Sequence, residues 1–128
     1  MTQAAPLTGG CQCGQSSFRA TGTPKFVAHC HCRDCRRATG AAFVTWVGWL
    51  DHQIEWTGQP RAQYSSSNGV SRGFCKHCGS PLSYQGEKWG GETHIVIGVF
   101  ENPDGLIPDG EVFADEALPW VQTETETS

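Results

Sequence analysis

Residues 9–14 read GGCQCG and residues 75–79 read CKHCG, and these two stretches decide the fold. The cysteines of the first stretch are two residues apart, so in a strand both side chains point to the same face. The second stretch resembles a zinc knuckle, with a glycine next to its last cysteine. Four thiolates make a closed tetrahedral zinc site of the structural kind. The predicted ligands of this site are Cys11, Cys13, Cys75 and Cys78. The alternative is that they are free buried cysteines acting as small apolar residues.

A second cysteine group lies in residues 29–35, which read HCHCRDC. Cys30, Cys32 and Cys35 can hold one face of a zinc ion and leave its fourth position to water or substrate, as catalytic zinc sites do. Two other interpretations stay open. One is a second structural site completed by a histidine such as His29 or His31, although in a strand His31 would point away from its neighbours. The other is a metal-free redox cluster, because C-x-x-C motifs also serve thiol exchange.

Composition narrows the class of protein. The 128 residues carry a net charge of -4, so no basic face for nucleic acid or an anionic membrane is expected. The first ten residues lack the pattern of a signal peptide, and no apolar run approaches the roughly 20 residues of a membrane helix. We therefore expect a soluble cytoplasmic protein, where thiols stay reduced. The seven cysteines are odd in number, which disfavours a disulfide framework and favours metal binding.

Short β-branched and aromatic runs separated by glycine and proline predict a mainly β protein of small antiparallel sheets around zinc. Such strands bury little apolar surface, and structural metal is one way to offset that shortage. The helical pattern is limited to one turn, Asp34 to Thr39, ended by Gly40. We predict a single zinc-binding domain over residues 8–121, with tails at 1–7 and 122–128. The predicted strand segments are 16–20, 25–29, 43–50, 53–56, 82–84 and 93–100.

The order and spacing of these motifs resemble the glutathione-dependent formaldehyde-activating enzyme family, also called the centromere protein V domain family. The resemblance runs from about residue 8 to residue 120. The matching motifs are Gly9–Gly14 with Phe18, His29–Arg37 with Gly40, Tyr64–Ser66, Arg72–Ser80 and Leu118–Trp120.

The resemblance implies a β-tent fold and two zinc ions per chain. It assigns the catalytic zinc to Cys30, Cys32 and Cys35. It assigns the structural zinc to the other four cysteines, which are Cys11, Cys13, Cys75 and Cys78. It also implies a carbon–sulfur lyase that forms or breaks S-hydroxymethylglutathione. At a position where many members of the family carry a histidine, this chain has Glu111. The resemblance therefore supports the two zinc sites more directly than it supports the substrate.

The residues allow a mechanism for such an enzyme. Zinc at the three-cysteine site would deprotonate a substrate thiol or polarise a carbonyl. Arg36 and Arg37 are predicted to bind the carboxylates of glutathione, since arginine binds carboxylates bidentately. Trp89 and Trp120 can line a pocket, whereas the other three tryptophans are expected in the core. The alternatives are a zinc-stabilised binding module without catalysis and a thiol redox or metal-handling protein.

Overall fold

The computed structural model describes residues 5–123 and residue 125. These residues form ten β-strands, one α-helix and five short 3₁₀ segments. The strands are β1 (Leu7–Gly10), β2 (Ser16–Ala20), β3 (Phe26–Cys30), β4 (Val44–Leu50), β5 (Ile54–Gly58), β6 (Ala62–Ser67), β7 (Val70–Phe74), β8 (Pro81–Gly86), β9 (Glu92–Val96) and β10 (Gly110–Val112). The helix is α1 (Arg33–Thr39), and the 3₁₀ segments are Asp51–Gln53, Glu87–Trp89, Ile97–Val99, Pro103–Gly105 and Ala114–Glu116. The predicted fold class, mainly β with one short helix, is confirmed.

The strands form two sheets of unequal size. A three-stranded sheet has the order β1-β2-β5, and a seven-stranded sheet has the order β10-β3-β4-β9-β8-β7-β6. Every pairing is antiparallel except that of β10 with β3, which is parallel. The parallel pair differs from the antiparallel pattern expected from sequence. It forms because the long connection after β9 returns the chain to the free edge of β3, and parallel strands need such a crossover.

The main apolar core lies between the two sheets. Strand β2 contributes Phe18 and Ala20, while β4 contributes Val47 and Trp49. The expected alternation in β2 is present, because Ser16, Phe18 and Ala20 are buried while Arg19 is exposed. Gly9 forms an isolated bridge with Phe100, and a Cβ at this position would overlap the Val99 carbonyl and the Phe18 ring. Only glycine therefore permits this close approach of the backbones.

The predicted strands lie close to observed ones, but β1 and β10 have no predicted counterpart, and two further differences are informative. The run 93–100 is a strand only to Val96, because Ile97–Val99 forms a 3₁₀ segment. In this segment, the Ile97 carbonyl accepts a hydrogen bond from the N–H of Phe100. The hairpin of β6 and β7 was not predicted. Its strands are polar and rich in serine, so they lack the apolar alternation on which the prediction relied.

Helix α1 begins one residue before the predicted turn and ends where predicted. Cys32 is the N-cap, and its Sγ accepts from the backbone N–H of Cys35 at 3.3 Å. Gly40 ends the helix in the left-handed conformation, φ 78°, with its N–H bonded to the Arg36 carbonyl. The helix therefore starts inside the second cysteine group and presents those thiols from a rigid turn.

The predicted tails fall partly on residues 1–4, 124 and 126–128, which lie outside the described residues. Within the described part, Leu7 already belongs to β1, and Thr123 and Thr125 donate to the carboxylate of Glu111. The domain limits of 8 and 121 remain a prediction. None of the helical segments in residues 5–123 and 125 has the length and apolar character of a membrane-spanning helix.

Candidate metal centres and substrate cavity

The first cysteine group brings together the ends of two distant segments. Its ligand atoms all lie within 4.8 Å of one another. The Sγ atom of Cys13 lies 3.6 Å from that of Cys11 and 3.7 Å from that of Cys75. Four sulfurs bonded to zinc at about 2.3 Å in a tetrahedron are about 3.8 Å apart. These separations fit a shared metal ion and are far too long for disulfide bonds. The members of the group are Cys11, Cys13, Cys75 and Cys78.

Two tight turns with matching hydrogen bonds present this group. The N–H of Cys11 bonds to the Ser16 carbonyl, and the N–H of Cys75 bonds to the Ser80 carbonyl. Backbone N–H groups also point at the sulfurs. Ser16 donates to Sγ of Cys11 at 3.3 Å, and His77 donates to Sγ of Cys75 at 3.4 Å. Such donors stabilise thiolates, so the turns suit a metal-binding group better than a cluster of neutral thiols.

The second cysteine group forms where β3 ends and α1 begins. The Sγ atoms of Cys30 and Cys35 are 3.6 Å apart, and the ligand atoms of all three cysteines lie within 4.8 Å. Cys30 and Cys35 are buried, while Cys32 is partly exposed. The spacing again fits a tetrahedral metal, with one side of the group facing open space. This group can therefore hold a metal through three thiolates.

The histidines near this group do not complete it. Within residues 5–123 and 125, no histidine or carboxylate joins the three cysteines as a ligand. His31 points to the other side of the chain, where its Nε2 lies 2.6 Å from Glu111. His29 Nδ1 instead lies 2.8 Å from the Thr45 hydroxyl. A fourth ligand from these histidines is therefore absent in the described structure.

A buried arginine contacts the second group. Arg72 is 8% exposed, and its two terminal nitrogens lie 3.7 and 3.8 Å from Sγ of Cys35. Its Nε donates to the Ser66 hydroxyl, and its guanidinium lies over the Tyr84 ring. Hydrogen bonding with the Cys30 thiol lowers the pKa of Cys35 to about 5, and the charge of Arg72 acts in the same direction. Arg72 therefore stabilises negative charge on this sulfur.

A cavity of about 580 Å³ opens beside these cysteines. All three line it, together with Arg33 and Arg72. The predicted carboxylate ligands lie elsewhere, since neither Arg36, which is partly buried, nor Arg37, which is exposed, lines the cavity. The two arginines follow Cys35 on α1, and the part of the helix that lines the cavity ends at Cys35.

Aromatic side chains make up much of the remaining wall. Trp89 lines the cavity as expected, but Trp120 is 70% exposed and does not. Trp46, expected in the core, is buried and also faces the cavity. Tyr84 and His94 were not predicted as site residues, because each lies in a strand with no local motif. Only their alternation along β8 and β9 could have placed them on one face.

Comparisons with known proteins concern the family and the fold. A family model described as glutathione-dependent formaldehyde-activating enzyme matches residues 6–116. A comparison with curated protein sequences found no match. Among solved structures, the fold is similar to the crystal structure of a Rhodobacter sphaeroides protein determined as a structural genomics target, with a TM-score of 0.66 and 20% sequence identity. The match covers 82% of this chain and 99% of that one. At this identity, the likeness concerns the fold alone.

Proposed function

Because the chain belongs to the glutathione-dependent formaldehyde-activating enzyme family, we propose that it is a zinc-dependent carbon–sulfur lyase. Its substrate would be an adduct of glutathione or another small thiol, such as S-hydroxymethylglutathione or a related compound. One observation carries the proposal. Three cysteines line a cavity, and no further histidine or carboxylate among the described residues completes their ligand set. Catalytic zinc sites keep such an open position.

The two cysteine groups would have different duties. Cys11, Cys13, Cys75 and Cys78 form a closed set that suits a structural zinc, whereas Cys30, Cys32 and Cys35 would hold the catalytic one. A zinc ion held by the second group would supply deprotonation of a bound thiol or polarisation of a carbonyl. A reducing cytoplasm, where these cysteines stay reduced and can bind zinc, is the proposed location.

The chain's own charges would orient the substrate. Arg72 is committed to Cys35 and Ser66, so it balances the negative charge of the cysteine group. Arg33 is exposed at the cavity rim, where its guanidinium can bind a carboxylate of glutathione. A carboxylate-binding role for Arg36 and Arg37 remains a prediction. It requires that part of glutathione extends outside the cavity and contacts these arginines there.

His94 provides a group that can move a proton. It lines the cavity, and burial lowers the pKa of its imidazole, so the ring is neutral at pH 7. Its Nε2 lies 2.9 Å from the Glu92 carboxylate, which indicates that Nε2 carries the hydrogen. Nδ1 is then the unprotonated nitrogen of the ring. We propose that it takes the proton of the substrate thiol, a role that suits a neutral histidine near pH 7.

The test combines metal content with exchange kinetics. We expect the wild type to carry about two zinc ions per chain and Cys32→Ser to carry about one while remaining folded. Exchange NMR with ¹³C-formaldehyde and glutathione should show faster adduct exchange with the wild type and the uncatalysed rate with Cys32→Ser. A wild type loaded with zinc at both groups that leaves the exchange rate unchanged would contradict the proposal.

One observation favours a second function, thiol redox chemistry. Cys35 has a pKa of about 5, set first by hydrogen bonding with Cys30, and Cys32 precedes it in a C-x-x-C motif. Low-pKa cysteines of this kind react readily. If the wild type and Cys32→Ser both carry about one zinc, and Cys35 is rapidly alkylated, this function displaces the lyase. Zinc in the second group that resists mild chelation excludes it.

A further inference from the structure

The cavity has two chemically different ends, joined by one face of β3. Phe26, Ala28 and Cys30 alternate along this strand, and all three line the cavity. At about 3.3 Å per residue, Phe26 and Cys30 are about 13 Å apart. The cavity therefore extends well beyond the cysteines, and the small Ala28 lies at its middle.

The end near Cys30 is charged. Arg33 and Asp34, on the first turn of α1, line the cavity there, and both are exposed. Glu116 lies beside them, since its carboxylate accepts from the backbone N–H of Arg33 at 3.1 Å. Both signs of charge are present, as the carboxylates and ammonium group of a peptide-like thiol require.

The end near Phe26 is an aromatic box. Its rings come from three strands and one 3₁₀ segment: Phe26, Tyr84, Trp89 and His94. His94 is central, with ring centroids 4.8 Å from Phe26, 5.5 Å from Tyr84 and 5.9 Å from Trp89.

The register of the sheet explains why these rings converge. Phe26 pairs with Gly48, Gly48 with His94, and His94 with Tyr84, so one row of the pleat crosses four strands on the cavity face. The missing side chain at Gly48 provides the space that the Phe26 ring occupies, because a Cβ there would overlap it.

From this arrangement we infer that the enzyme acts on thiol adducts of apolar aldehydes, aromatic or medium-chain, whose substituent lies over Ala28 and ends in the aromatic box. The inference rests on the proposed function and names its substrate class. A hydroxymethyl group has two heavy atoms and leaves the box empty. By comparison, a cavity of about 150 Å³ is enough for benzene, and this one measures about 580 Å³.

The reaction is the addition of a thiol to an aldehyde, as with formaldehyde, but with a larger carbonyl compound. The thiol sulfur bonds to the aldehyde carbon, the π electron pair of the C=O bond moves to oxygen, and the thiol proton ends on that oxygen. The reverse reaction releases the aldehyde and the thiol. No oxidant or reductant is needed.

Binding of stable thioethers tests the cavity separately from catalysis. By calorimetry, the wild type should bind S-benzylglutathione about 10- to 100-fold more tightly than S-methylglutathione, because the extra ring is buried. Trp89→Ala, which removes a ring of the box, and Ala28→Val, which narrows the passage, should each lower this ratio severalfold. Trp120→Ala is the matched control, because it removes an exposed tryptophan that does not line the cavity. Equal binding of the two thioethers by the wild type would overturn the inference.

Kinetics then separate this inference from the proposed function. With glutathione, the inference predicts a higher kcat/KM for phenylacetaldehyde or octanal than for formaldehyde, and a smaller ratio in Trp89→Ala. Acceleration with formaldehyde alone would overturn the inference and leave the proposed function standing. No acceleration with any aldehyde would overturn the proposed function, while preferential binding of S-benzylglutathione would still support an apolar ligand.

Discussion

The Nε2 atom of His31 lies 2.6 Å from Oε1 of Glu111, and this contact joins β10 to the segment between two candidate metal ligands. His31 is 2% exposed and stands between Cys30 and Cys32 in the chain. The other oxygen of Glu111 accepts from the hydroxyls of Thr123 and Thr125. The carboxylate of Glu111 thus connects the C-terminal segment to the cysteine segment.

Glu111→Ala is expected to destabilise the fold by about 1–3 kcal/mol, because it leaves the buried imidazole of His31 without its partner. Urea unfolding followed by circular dichroism measures the change. Glu101→Ala serves as the control, since it removes an exposed carboxylate. Equal losses of unfolding free energy in the two variants would show that the His31–Glu111 pair stabilises the fold no more than an exposed carboxylate does.

Cys75→Ser and Cys32→Ser should behave differently. Cys75 is fully buried in the four-cysteine group, and a structural zinc site can contribute roughly 10 kcal/mol or more to folding. This is comparable to a whole domain's stability of about 5–15 kcal/mol, so Cys75→Ser should unfold or aggregate. Cys32→Ser should keep its circular dichroism spectrum and lose activity. If both variants melt at the same temperature, the division into structural and catalytic sites is wrong.

Stability should fall as the pH drops below about 6.5, partly because of His94. Burial lowers the pKa of His94 in the folded state, so the unfolded chain binds a proton more readily. Stability is therefore complete above the unfolded pKa of about 6.5 and is lost as pH falls through the folded pKa. His94→Phe keeps a ring in this position and should flatten the dependence of Tm on pH. Replacing the exposed His52 by glutamine should retain the wild-type slope, and an unchanged slope in His94→Phe would refute the assignment.

Gly48→Ala is expected to cost about 1–3 kcal/mol, because the new methyl group overlaps the Phe26 ring, which already packs edge-on against His94. The displaced ring should also narrow the aromatic box and weaken S-benzylglutathione binding. Gly98→Ala is the matched control, since a Cβ there meets no atom within 4 Å. A stability as high as that of the control would mean that Phe26 has room to move.

Local patterns predicted what local geometry controls. The C-x-C and C-x-x-C spacings mark three short cysteine segments, because each spacing is set within a single turn or strand. The prediction that Cys11 and Cys13 join Cys75 and Cys78 came from the four ligands of tetrahedral zinc, and the structure brings these four together. Gly40 marked the end of α1 for the same reason. The β6–β7 hairpin was missed, because its polar residues carry no periodic signal. The two arginines after Cys35 were singled out by sequence proximity, but neither of them lines the cavity.

The sequence by itself determined the family, the mainly β class and the identity of the thiols, because these depend on residue types at short separations. Only the tertiary structure decided what surrounds the thiols. Three contacts join residues that are distant in the chain. Arg72 contacts Cys35, and Glu111 contacts His31. The ring of His94 packs against those of Phe26 and Tyr84. Those neighbours are set by strand order and register across the larger sheet, since a shift of one residue would turn every side chain of a strand to the opposite face.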